Sequence, residues 1–110
     1  MPIFSNLSVS IAICDDEPKD LSEMETMTKE LLEAEKIPGG ISRFGDALSL
    51  LSSIEGGEKF DILFLDVMMA DLNGMDLAAS LRRLGNDAAI VFVSTNREMA
   101  LLGYEVSAVR

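Results

Sequence analysis

Histidine is absent from this 110-residue chain, and cysteine occurs once. The first absence removes every mechanism that needs an imidazole base, nucleophile or metal ligand. The second excludes an internal disulfide and any CxxC zinc or redox motif. Cys14 itself lies inside an apolar run and reads as an inert packed thiol. Basic residues are also scarce: nine Lys and Arg stand against nineteen Asp and Glu, a formal net charge of −10. That balance argues against non-specific nucleic-acid binding, which depends on cations neutralising phosphates. No apolar run approaches the roughly 20 residues of a membrane span. The first eight residues lack the basic segment and long apolar stretch of a signal peptide. The expectation is a soluble cytoplasmic protein whose segment here engages neither nucleic acid nor membrane. Repeats, low-complexity tracts and long linkers are absent too.

What is present is core material. Apolar residues make up 48% of the chain, enough for one domain of this length and not two. Strand-like and helix-like segments alternate. Val9 to Cys14 sets large side chains (Val9, Ile11, Ile13) against small ones (Ser10, Ala12, Cys14), as in a central strand with helices pressed close on one face. Pro18 suits the first turn of a helix with Glu17 near its N-cap. Leu21, Met24, Met27, Leu31 and Ala34 form its predicted apolar stripe, and Glu25 and Lys29 an i,i+4 ion pair. Pro38-Gly39-Gly40 reads as the stop. A short strand follows from Ile41 to Phe44, predicted at a sheet edge because Arg43 interrupts it. Asp46 can cap a second helix through Ile54, closed by Gly56-Gly57. The run from Phe60 to Leu65 is a buried strand. Asn73-Gly74 opens a third helix carrying Leu77, Leu81 and Leu84, with Gly85 as its stop. Ala89 to Val93 is a fourth strand, and 96–104 a further helix. The β-α-β-α order predicts a doubly wound α/β sheet of parallel strands with helices on both faces.

In such sheets ligands bind beyond the carboxyl ends of the strands. Asp15 and Asp16 end the first strand, Asp66 the third and Ser94 the fourth. If the first and third strands are neighbours, three carboxylates converge. Such a cluster repels itself and either raises the pKa of a member or demands a cation. An all-oxygen cluster suits Mg²⁺, and a metal-bound aspartate suits phosphate chemistry. Each residue also has a plainer reading, because an aspartate after a strand is a common helix cap. Met24, Met27, Met68, Met69, Met75 and Met99 read as packing and loop residues, and Arg82-Arg83 as a solvated helix end.

Ile13-Cys14-Asp15-Asp16-Glu17, Phe64-Leu65-Asp66-Val67-Met68-Met69 with Asn73-Gly74, and Val93-Ser94 resemble the receiver domain of two-component response regulators. The resemblance runs from about Val9 to the end, leaving residues 1–8 as an N-terminal extension and 9–110 as an incomplete receiver domain. Asn96-Arg97-Glu98-Met99-Ala100 with Gly103-Tyr104-Glu105-Val106 looks most like receivers that precede LytTR-type DNA-binding domains. The resemblance implies a flavodoxin-like sheet of order 2-1-3-4. It also implies that Asp66 accepts a phosphoryl group from a sensor histidine kinase. Asp15, Asp16, Asp66 and the backbone carbonyl of Met68 would hold Mg²⁺. The Ser94 hydroxyl would bond the acyl phosphate, a contact made only in the modified state and so able to bias a loop rearrangement that controls an output, transcription in this subfamily. Such a domain is a switch in a phosphorelay and not a turnover enzyme.

Two departures from the family stand out. Proline is usual where Ala70 stands. The family also continues past the position of Arg110 with a fifth strand, a lysine that contacts phosphate and a fifth helix, so the fourth strand is expected to be an open apolar edge and the chain to self-associate. Two other readings compete: a degenerate receiver that binds partners without phosphorylation, and an aspartate-nucleophile phosphatase. The latter ranks low, because those enzymes carry a second aspartate two residues after the nucleophile, where this chain has Met68.

Overall fold

The computed structural model describes residues 8–69 and 72–93 and the backbone of 107–108. The elements are β1 (Val9–Cys14), α1 (Pro18–Ala34), β2 (Gly39–Phe44), α2 (Ala47–Glu55), β3 (Ile62–Asp66), α3 (Gly74–Arg83), β4 (Ala89–Val93) and a two-residue β5 (Ser107–Ala108). They form one sheet of order β2-β1-β3-β4-β5. The pairs β1–β2, β1–β3 and β3–β4 are parallel, as the alternation of strand and helix segments requires. The edge of β4 is not wholly open as expected: β5 pairs antiparallel with it, Ala108 opposite Ile90 and Ser107 opposite Val91. The helix predicted over 96–104 lies outside the described residues.

Alternation along the strands sorts the core onto two faces. Ile11 and Ile13 point towards α1, where they pack with Leu21 and the half-buried Met24, Leu32, Ile41, Ile62 and Phe64. Ala12, Cys14, Leu63, Leu65 and Ile90 point the other way, onto Leu50 of α2 and Leu77 and Leu81 of α3. The small side chains of β1 therefore do face the close-packed helix layer, as their pattern implied.

The stripe of α1 differs from the prediction. Leu21 is buried, Met24 and Leu32 pack inward, but Met27 and Leu31 are 68% and 56% exposed. The inward row runs through Thr28, whose hydroxyl donates to the Met24 carbonyl at 2.7 Å. Satisfied within its own helix, Thr28 can occupy an inward position that a purely apolar count passes over. Leu84 likewise lies outside the core, at 51% exposure, as the C-cap of α3.

Helix ends follow local chemistry. Asp46 Oδ1 accepts from Ser49 N at 2.7 Å, and Asn73 Oδ1 from Asp76 N at 2.9 Å, both N-caps. Gly85 closes α3 with φ +84°, donating to Arg82 O while Asn86 N donates to Leu81 O, the paired bonds of a Schellman motif. α1 ends the same way, but on Lys36 with φ +56°, its amide bonded to Glu33 O and that of Ile37 to Leu32 O. Gly39 and Gly40 are consequently not the stop. They open β2, opposite Val9 and Ser10. At this edge Arg43 reaches back to α1, with Nη1 2.8 Å from Glu25 Oε1, and Lys29 Nζ lies 3.5 Å from the same carboxylate.

Candidate phosphoacceptor and metal site

The parallel register sets Cys14 beside Leu65, so the residue after β1 and the last residue of β3 stand side by side. Asp15 and Asp66 are that pair. They are 1% and 4% exposed and are the buried charged residues among those described. With the exposed Asp16 they present carboxylate oxygens that all lie within 4.8 Å of one another. The convergence predicted for the three aspartates is met. Ser94 lies outside the described residues, as does Ala70. Val93, at the end of β4, stands opposite Asp66.

Asp15 reconciles the two readings of an acidic pair. Its Oδ1 accepts from Glu17 N at 2.9 Å, so it secures the start of α1, while Glu17 at the N-cap makes no side-chain cap bond. Its Oδ2 is buried with no hydrogen-bond partner among the described residues. A buried carboxylate oxygen without a donor is costly, and it belongs to a carboxylate that is grouped with two others. Asp66 Oδ1 has one backbone donor, Met68 N at 3.4 Å, a long contact.

The electrostatics follow from this geometry. Burial first, then the charge of Asp15, pushes the Asp66 carboxyl up to about 6. Burial is also the leading cause that raises Asp15, opposed by its bond from Glu17 N. A divalent cation would reverse the situation by supplying the missing charge. The donor set fits Mg²⁺: the three residues grouped here offer hard carboxylate oxygens, and Asp15 Oδ2 has no hydrogen-bond partner among the described residues. The buried Cys14 thiol is outside this group and contacts Asp46 O at 3.4 Å and Met69 Sδ at 3.6 Å.

The backbone around Asp66 is held from both sides. Val67 N donates to Val93 O at 3.3 Å, and Gly74 N donates to Val67 O at 2.9 Å. At the opposite end of the strands Asp61 Oδ2 accepts from Ser10 N at 2.8 Å, and its carbonyl accepts from Ala89 N. Sequence reasoning did not find this second clamp. An aspartate just before an apolar strand was its only signal.

A parallel sheet of order 2-1-3-4 with an acidic pocket at its carboxyl edge defines a flavodoxin-like α/β domain. The chain belongs to the response regulator receiver domain family, whose model matches residues 11–109. Among curated proteins it is 33% identical over 100 residues to the sensory transduction protein LytT of Bacillus anthracis, covering 91% of this chain and 39% of that one. It is 29% identical over 98 residues to the transcriptional regulatory protein LytR of Staphylococcus aureus, covering 87% and 37%. The chain thus spans less than two fifths of the length of these relatives. Both fit the LytTR-type subfamily read from the C-terminal motifs. Among solved structures, the response regulator TrrA from Thermotoga maritima, in complex with Mg²⁺ and BeF, superposes with a TM-score of 0.68 at 21% identity, over 83% of this chain and 73% of that one. The BeF3-activated DrrB receiver domain does so at 0.65 and 20%, over 89% and 77%. No helix among the described residues is long and apolar enough to cross a membrane.

Proposed function

We propose that Asp66 is the phosphoacceptor of a two-component switch, charged from a phosphohistidine on a sensor kinase. The observation that carries this reading is the buried pair Asp15 and Asp66 at adjacent strand ends, with Asp15 Oδ2 left without a donor among the described residues. Asp15, Asp16 and Asp66, with the Met68 backbone carbonyl, would hold Mg²⁺, which when bound supplies positive charge against the phosphoryl oxygens. Asp66 needs its carboxylate ionised to act. An Asp66 oxygen forms the new O–P bond as the N–P bond of the donor breaks and the imidazole leaves. Ser94 is the hydroxyl assigned to bond the acyl phosphate so formed. The domain is a switch, not a turnover enzyme, and its output in the full protein is control of transcription, in keeping with the similarity to the transcriptional regulatory protein LytR.

The experiment is labelling with a small acyl phosphate donor such as acetyl phosphate, with and without Mg²⁺, read by mass spectrometry. Incorporation of one phosphoryl group that needs Mg²⁺ and disappears in Asp66→Asn is expected. Mg²⁺-dependent binding of beryllofluoride should be lost in the same variant. A protein that takes up neither is a phosphorylation-independent binding module.

A further inference from the structure

We propose that Gly74 is a positioning residue for the phosphoacceptor, an inference that rests on the reading of Asp66 above. Gly74 is the buried first residue of α3. Its φ is not positive, so no backbone torsion there calls for glycine. That helical position tolerates most residues and favours several over glycine. The reason lies in space. A Cβ on Gly74 would run into the carbonyl oxygen of Asp66 and come within 3.2 Å of both the Asp66 carbonyl carbon and Val67 Cα. These are backbone atoms and cannot swing aside. The α3 terminus therefore sits directly on the peptide that carries the phosphoacceptor, fastened by the bond from Gly74 N to Val67 O at 2.9 Å. The opposite side of the same peptide is held by Val93 O. With both sides fixed, the Asp66 side chain is delivered to the pocket beside Asp15. A methyl group at position 74 would have to push the Asp66 backbone, and the carboxylate with it, out of line with Asp15 and Asp16.

Gly39 provides a matched comparison. A Cβ there would fall 2.8 Å from Val9 O, again a collision with a backbone carbonyl, but at the start of β1 and β2, the far end of the strands from the aspartates. Gly74→Ala and Gly39→Ala should be compared with wild type by Mg²⁺ titration, by labelling with acetyl phosphate, and by crystal structures grown in chelator. Gly74→Ala is expected to weaken Mg²⁺ about tenfold or more, the range seen when a support for a ligand is removed, and to slow labelling. Its chelator structure should show the Asp66 carboxylate moved relative to Asp15 by more than about 0.5 Å, the tolerance of a working site. Gly39→Ala should keep wild-type Mg²⁺ affinity and labelling even where its melting temperature falls. Equal losses in the two variants, an unmoved Asp66, or loss of the fold in Gly74→Ala alone would overturn the inference. A wild type that binds no Mg²⁺ would refute the phosphoacceptor reading instead, and the position of Asp66 in the two chelator structures would still decide the role of Gly74.

Discussion

In chelator, Asp66→Asn should make the domain more stable at pH 8 and leave it nearly unchanged at pH 4. The Asp66 carboxyl is raised from an ordinary 3.8 to about 6 by burial and by Asp15. In the unfolded chain it loses its proton near the ordinary value, while in the fold it keeps the proton to about pH 6. Between those values the folded state binds more protons. Stability contributed by this group is therefore fully present below about pH 4, falls as pH rises towards 6, and stays low above it. Two units correspond to about 3 kcal/mol at roughly 1.4 kcal/mol per unit. Asparagine fills the same volume without the charge and can still accept from Met68 N, so most of that cost should be absent from the variant. A gain of about 2 kcal/mol would raise the melting temperature by roughly 10 °C in a domain of this size. The assay is thermal unfolding followed by circular dichroism from pH 4 to 8 in EDTA. Mg²⁺ at about a hundred times its Kd should then return about 2.7 kcal/mol to the wild type alone, closing or reversing the gap. A variant less stable than wild type at pH 8, or a difference that does not change with pH, would refute the reasoning and make Asp66 a structural hydrogen-bond acceptor.

Three further outcomes are expected. Asn73→Ala removes the cap of α3 without adding bulk at Gly74, so it should cost about 1 kcal/mol in denaturant unfolding and leave Mg²⁺ affinity unchanged. Lys36→Gly relieves a left-handed residue at the end of α1 and should raise stability by about 1 kcal/mol; a loss in urea titration would show that the lysine side chain matters more than its backbone. Among the described residues β5 pairs with Ile90 and Val91 of the β4 edge; light scattering at micromolar concentration should reveal self-association, and a monomer would show that the edge is sealed within the chain.

Much of the architecture was legible because β3 and β4 announce themselves by unbroken apolar runs. Leu63 and Leu65 face one side and Ile62 and Phe64 the other, which leaves no polar position to confuse the period. The caps at Asp46 and Asn73 and the stop at Gly85 were legible because one side chain or one torsion decides them. α1 was harder, since Thr28 hides inside the apolar row by bonding its own helix. The glycines at 39 and 40 read as a turn by type, yet pairing with β1 draws them into the sheet. At the site the three aspartates were legible from their places after apolar runs. The contact between Gly74 and Asp66 was not, because close approach of two backbones eight positions apart leaves only an ordinary glycine in the sequence.

Asp15 divides its two oxygens between different tasks, and the division makes its length matter as much as its charge. One oxygen latches the first turn of α1 through Glu17 N, and the other is buried with no hydrogen-bond partner among the described residues, in a carboxylate that belongs to the acidic cluster. Glutamate would carry the charge one methylene too far for the latch. Asparagine would keep the latch and give up the charge. One short side chain thus ties the acidic cluster to the foot of a seventeen-residue helix, so a change of its length alters both at once.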